Sequence, residues 1–389
     1  MVPAGGGIYR RVKRTISGWD MQANARRMRF HWSLPSSGVA DRRRGARFRT
    51  EINQLEGLDQ QRDFCVRADE LGLDTLLLPI GFQRADPIVL ATAFGLATKR
   101  VNLMPASRAA VISPTHFVQQ VNAVSAFTGG RIAINVVSGQ GSNELRYYGD
   151  FSTHDERYQR TDEFWTICHA LWRREFPVDF TGRFISVEGA RINQPFVSPD
   201  RHRPYVYLGG SSDQATRLAI KHADCLLRVV EAPEQLRPKI EPVLAAGIEV
   251  GIITNLVVGE THDDAVRAGQ SLIENAGDRG RAAVAEWRGK TTESVGFEEI
   301  YRLAEDGSSW LTPYLWTGLV PYMGPMSISL IGGPDEIVEA IFEYRRLGVT
   351  QFLFQARPDL PTLEFFGTSI LPKIRQREEL TEGVSTGIG

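Results

Sequence analysis

The sequence predicts an α/β chain folded as a single TIM (β/α)8 barrel with insertions, and three observations predict it. Eight short runs are apolar without alternation, the pattern of parallel strands covered on both faces. Segments of helical period follow most of those runs. The 389 residues leave room for long inserts, since a minimal barrel takes about 250. A doubly wound open sheet competes, but it would normally carry GxGxxG after its first strand. The turn Pro35-Ser36-Ser37-Gly38 supplies no such motif.

Taken in order, the chain opens on residues 1–28, where Arg10, Arg11, Lys13, Arg14, Arg26 and Arg27 face a single acid, Asp20. Lacking the apolar core of a secretory signal, this segment reads as a basic, disordered N-terminal tail. The barrel is expected over 29–378. Its strands are placed at Phe30–Leu34, Thr75–Pro79, Val101–Met104, Ile132–Val137, Tyr205–Leu208, Leu226–Val229, Gly251–Val258 and Phe352–Phe354. Helices are expected at Gln60–Leu71, Thr115–Phe127 and Tyr158–Arg173, among others. Residues 179–192, with Thr181-Gly182 between apolar alternations, read as an inserted β-hairpin. A second insertion, 278–330, holds helical pieces and then a stretch from Gly307 to Pro334 without Asp, Glu, Lys or Arg. Pro313, Pro321, Pro325 and Pro334 would break a membrane helix repeatedly, so a buried or substrate-covering loop is expected instead. Residues 379–389 read as a flexible C-terminal tail.

Composition narrows the function classes. A formal charge of -1 gives no basic field to recommend a nucleic-acid partner. Cys65, Cys168 and Cys225 lie far apart and form no CxxC pair, which disfavours a disulfide framework or a cysteine zinc site and suits a reducing cytoplasm. The seven histidines show no HExxH spacing, so no metal is expected.

Three motifs carry the chemistry. Leu208-Gly209-Gly210-Ser211-Ser212-Asp213 is a strand, a glycine pair and a helix start rich in capping residues. Free backbone N–H groups at such a start bind phosphate, and the two hydroxyls add donors; an ordinary capped turn is the competing reading. Asn135-Val136-Val137-Ser138-Gly139 ends another strand in polar residues. A buried Asn is expensive unless hydrogen-bonded, so a partner must meet Asn135, either in the core or on a ligand. His154-Asp155-Glu156-Arg157-Tyr158 opens a helix, which a cap and a surface salt bridge would also explain.

Together with Trp32-Ser33-Leu34-Pro35, Thr128-Gly129-Gly130-Arg131, Phe180-Thr181-Gly182 and Leu315-Trp316-Thr317-Gly318, these motifs resemble the bacterial luciferase-like, flavin-dependent monooxygenases. The alkanesulfonate monooxygenase branch looks closest, and the likeness runs from about Arg29 to Leu371. It implies a luciferase-like TIM barrel that receives reduced FMN (FMNH2) from a separate NAD(P)H:FMN reductase and activates O2 as a peroxyflavin. By that resemblance Gly210, Ser211, Ser212 and Tyr158 hold the FMN phosphate, and Asn135 and Ser138 lie beside the ring. Asn135 would help place dioxygen against the flavin. A homodimer or homotetramer is implied as well.

The substrate end departs from the sulfonate branch. Its Arg and His near the end of the seventh strand correspond to Ile253 and Asn255, and a later Arg to Met323. A cysteine, a histidine and a tyrosine of that pocket correspond to Arg84, Ser37 and Arg357. Arg84, Arg108, Arg228 and Arg357 all fall at or just after expected strand ends, where Arg suits bidentate recognition of carboxylate or phosphate; ordinary ion pairs are the competing reading. The expected substrate is therefore a polar or anionic small organic molecule rather than a simple alkanesulfonate, contacted by Ser37 and these arginines. Asn255, in an otherwise apolar run, is assigned beside Asn135 as a catalytic amide that bonds without titrating. His31 is read as a satisfied core histidine. The alternatives are F420-dependent hydride transfer and a flavin-binding protein without turnover.

Overall fold

The computed structural model describes residues 27–35, 55–82, 84–138, 142–289, 295–305, 308–355 and 359–385. The expected tail lies outside them as far as residue 26, as do Ser37, Gly139, Arg357 and residues 386–389. Arg27 and Met28 are part of the barrel's underside: Met28 is buried and its N–H donates to Glu378 at 2.6 Å. At the other end, the last helix, Leu371–Ser385, runs past 379.

Eight parallel strands close a barrel: β1 (Arg29–Ser33), β2 (Thr75–Leu78), β3 (Asn102–Ser107), β4 (Ala133–Val136), β7 (Tyr205–Gly209), β8 (Cys225–Val229), β9 (Glu249–Val258) and β12 (Val349–Phe354). Closure is made by β12, which pairs with both β1 and β9, and by β9 with β8. All eight expected strands are present, so the unbroken apolar runs were those of strands buried on both faces. Phe30, Trp32, Phe352 and Phe354 point to the surrounding helices; Phe30, Trp32 and Phe354 pack with Phe366, and Phe352 stacks on Phe30. Burying each such ring is worth about 1.5–3 kcal/mol. The opposite parity, including Leu77, Met104, Ala106, Ala133, Tyr207, Leu227 and Leu353, fills the barrel interior.

Helix starts follow from local chemistry. Ser113 caps Pro114–Thr128, whose first residue is proline, and Gly129 ends it with φ 65°. Thr153 and Glu156 form a reciprocal capping box on His154–Arg173, which fixes where Tyr158 begins its turn. No helix among the described residues is long and apolar enough to cross a membrane.

The expected hairpin is present as β5 (Val178–Thr181) and β6 (Ser186–Ala190), with Thr181 opposite Ser186. The long excursion after β9 differs from the expected loop. It begins with the helix His262–Arg288, which breaks at Gly277, and continues through the helix Val295–Glu305. The uncharged stretch then forms β10 (Leu315–Trp316) and β11 (Ser329–Gly332). The second half of β9 outruns β8, and β11 takes the vacant edge from Asn255 to Val258. Lack of charge reflects that burial: Leu315, Leu319, Val320, Ile328, Leu330 and Ile331 are all inaccessible or nearly so.

Candidate functional site

At the C-terminal end of β7, the sequence places Gly209 and Gly210 before a helix, Asp213–His222, capped by the Ser212 hydroxyl. The Ser212 Oγ accepts from the Ala215 N–H at 3.1 Å and lies 3.3 Å from the Tyr158 hydroxyl. Gly210 is required by close packing: a Cβ there would come within 2.5 Å of the Ala215 Cβ. Ser211 completes the turn and touches the start of Val295–Glu305, where a Cβ on Gly296 would meet the Ser211 side chain at 2.9 Å. The four residues expected at a phosphate, Tyr158, Gly210, Ser211 and Ser212, therefore converge. Hydroxyls and exposed backbone N–H groups at a helix start form a ready anion cradle.

Asn135 stands beside this turn. Its neighbours of the same parity, Ala133 and Val137, line the barrel interior, and its Oδ1 lies 3.8 Å from where a Gly209 Cβ would be. Asn135 is 7% exposed and its Oδ1 has no hydrogen-bond partner. The satisfied-core reading thus fails for that oxygen, and a donor from a bound molecule would satisfy it. Ser138, half-buried, continues the same strand end.

A second group forms where β2, β3 and β4 end. Arg108 continues the interior parity of Met104 and Ala106, and its Nη2 donates to Glu144 Oε2 at 3.2 Å. The Arg108 guanidinium also lies 5.8 Å from the Tyr148 ring. Glu144, on the short helix Ser142–Tyr147, accepts from the Phe82 N–H through its other oxygen at 3.2 Å. Arg84 sits on the same turn as Phe82; burial lowers its pKa, and the Glu144 charge opposes that. Arg108 thus pairs with that carboxylate, and Arg84 lies within range of its charge. Glu144 and Tyr148 were not read from the sequence, because a six-residue helix offers no periodicity.

Two assigned residues are corrected. Arg228 alternates with the interior Leu227 and points, like Leu226, toward the helix layer. It is buried there against Glu231 at 3.5 Å; Glu231 also pairs with Lys239, which reaches Glu299 at 3.0 Å. The structure thus places Arg228 in the wall beside Glu231 rather than in the barrel interior, with its Nε lacking a partner. Asn255 is 1% exposed, and its amide donates to the Ser329 hydroxyl at 3.0 Å across the β9–β11 seam. The excursion consumes the bond that was expected to serve catalysis.

Deeper in the barrel, toward the N-terminal ends of the strands, a different polar set appears. Arg29 donates to Glu249 at 2.8 Å and to the Tyr205 hydroxyl at 2.9 Å. Gln351 donates to Glu249 and Tyr205, and its Oε1 meets His31 Nε2 at 2.8 Å. Burial, then the Arg29 charge, push the His31 pKa down to about 3, so it is neutral. Burial opposes the Glu249 charge, but Arg29 and the surrounding hydrogen bonds hold its pKa below the usual value.

The sequence profile of the luciferase-like monooxygenases matches residues 28–351. Among solved structures, a riboflavin lyase with modified FMN and riboflavin is 19% identical, with a TM-score of 0.71 over 90% of this chain and 92% of its own. The EDTA monooxygenase of Chelativorans sp. BNC1 is 21% identical, with a TM-score of 0.68 over 90% of this chain and 94% of that one. An F420-dependent secondary alcohol dehydrogenase is 18% identical, with a TM-score of 0.61 over 90% and 99%. At these identities the structural likenesses speak for the fold.

Proposed function

The chain belongs to the luciferase-like monooxygenase family, and from that premise we propose that it is the oxygenase component of a two-component system. In this reading a separate NAD(P)H:FMN reductase delivers reduced FMN, and one atom of O2 is transferred to a polar or anionic small organic substrate. The observation that carries the reading is the serine and tyrosine anion cradle lying next to an interior amide whose Oδ1 lacks a partner. Bound reduced FMN would supply the electrons that activate dioxygen. The protein's own part is to bind, orient and exclude water. Ser211, Ser212, Tyr158 and the helix start would hold the phosphate, and Asn135 with Ser138 would face the ring. Ile80, Val137 and Ile253, packed around the interior cluster, would keep water from the reacting end. Arg84 and Arg108 would meet the substrate. A simple alkanesulfonate is not proposed, since Ile253, Asn255 and Met323 replace the cationic groups expected for it.

Hydride transfer with F420 is the alternative favoured by a specific observation, the shared fold of the F420-dependent alcohol dehydrogenase. Self-association as a homodimer or homotetramer is supported by the uncharged helix Pro87–Ala97, which exposes Val89 and Leu96, and by the exposed Phe127 of the helix packed beside it. A monomeric mass by light scattering would sink that part. Three buried free cysteines suit a reducing cytoplasm.

An anaerobic titration of tryptophan fluorescence with reduced FMN, oxidised FMN and F420 tests the main reading. Micromolar or tighter binding of reduced FMN, weaker for the oxidised form, is expected. Preference for F420 would turn the assignment to hydride transfer, and no response to any of the three would remove the flavin.

A further inference from the structure

Arg108 is a buried cation with too few partners. It is 7% exposed, its Nη2 is bonded to Glu144, and its Nε and Nη1 have none. A guanidinium presents five N–H donors, and leaving them unpaired away from water is costly. Arg84 lies within electrostatic range of the same carboxylate, which is itself tied to the Phe82 N–H. Asp86, the other acid near this corner, is exposed and occupied in capping the helix at Ile88 and Val89. Among the described residues two cations at the mouth therefore lie within range of one anion.

Resting on the reading of this mouth as a small-molecule oxygenation site, we propose that Glu144 is an internal competitor for the substrate's anionic group. The site would then select molecules bearing one carboxylate. Glu144 displays the ligand chemistry itself: a carboxylate seated on Arg108. A single further negative charge balances Arg84 and Arg108, whereas a dianion would leave excess negative charge in a poorly hydrated place. Nε or Nη1 of Arg108 forms a planar fork with Nη2, the nitrogen that Glu144 holds, so a planar carboxylate that displaces Glu144 meets two parallel N–H groups. Glu144 thus sets specificity by holding Arg108 in place until a carboxylate takes over.

The test uses the full chain and benzoate as a monocarboxylate probe, with succinate as the dianion and inorganic sulfate as the non-planar control, each measured by calorimetry. Glu144→Gln removes the competing charge at nearly constant volume, and it should bind benzoate at least tenfold more tightly than the unaltered protein. Succinate and sulfate, as dianions, should gain at least as much, so that the preference for a single carboxylate narrows once Glu144 no longer opposes a second charge. Arg108→Gln should abolish benzoate binding while FMN and riboflavin titrate as before. The proposal is overturned if Glu144→Gln binds benzoate no more tightly, or shows no binding at millimolar concentrations. It is also overturned if Arg108→Gln weakens FMN but not riboflavin, since Arg108 would then serve the flavin phosphate. Should Arg108→Gln fail to fold, Glu144→Gln decides alone. Loss of the flavin reading would appear separately, as failure of the unaltered protein to bind reduced FMN while the benzoate response persisted.

Discussion

The two ends of the barrel interior treat buried polar groups in opposite ways. Toward the N-terminal ends of the strands, Arg29, Tyr205, Glu249 and Gln351 bond one another, and Gln351 also anchors His31. At the mouth, Asn135 Oδ1 and two nitrogens of Arg108 have no partner. Both ends are buried, so burial alone does not separate structure from function. Hydrogen bonding adds what burial lacks: the lower network is nearly saturated, with His31 Nδ1 its one buried atom without a partner, whereas the open groups at the mouth can be completed by something that arrives. Barrel enzymes divide along the same axis, with stability at the N-terminal face and chemistry at the C-terminal face.

Removing a partner at the saturated end should have the largest effect. Glu249→Ala strands the Arg29 charge and the Gln351 and Thr350 donors, and should cost about 3–5 kcal/mol of stability in denaturant unfolding. A loss under about 1 kcal/mol would dissolve the distinction. At the open end the reverse is expected. Asn135→Ala has no Oδ1 bond to lose, so stability should change by less than about 1 kcal/mol. Substrate oxygenation per reduced flavin consumed should instead fall about 100-fold, the size seen when one oriented dipole is removed.

Acid sharpens the comparison from the other side. The folded His31 has its pKa near 3, below the unfolded value of about 6.5. The unfolded chain therefore binds more protons between those limits, and stability falls as pH drops through that window. For this residue alone the loss from pH 6.5 to 5 is about 1.6 kcal/mol. His169, pushed down to about 4 by burial, adds to it. Chemical denaturation of His31→Gln across that range should show a slope shallower by about one proton; an unchanged slope would mean His31 is protonated in the fold. The smallest effect is expected at the phosphate cradle. Ser212→Ala should weaken FMN about tenfold, equivalent to about 1.4 kcal/mol, and leave riboflavin unchanged. Equal losses for both ligands would place the phosphate elsewhere.

The fold was legible because parallel strands covered on both faces leave unbroken apolar runs, and all eight did. The same property hid the facing of their polar residues. With no alternation to read, Arg228 looked as available as Arg108, although the two point to opposite sides of the wall. Asn135 was legible as a polar residue in an apolar strand that needed a partner. Asn255 gave the same signal, but its partner, Ser329, comes from far along the chain within the uncharged stretch. Glu144 gave no signal, since its meaning arises only when three strand ends meet.

The pairing of β9 with β11 has a consequence for how such a chain can be altered. Gly332 is the register partner of Val258, so the excursion leaves and rejoins the wall on adjacent strands, about 5 Å apart. The helix that follows, Pro334–Arg346, leads directly into β12. Everything between the two points is thus a cassette with neighbouring ends, and joining 258 to 333 would restore an ordinary strand–helix–strand repeat. A chain built this way can trade the cassette for another of different length while keeping the rest of its ring.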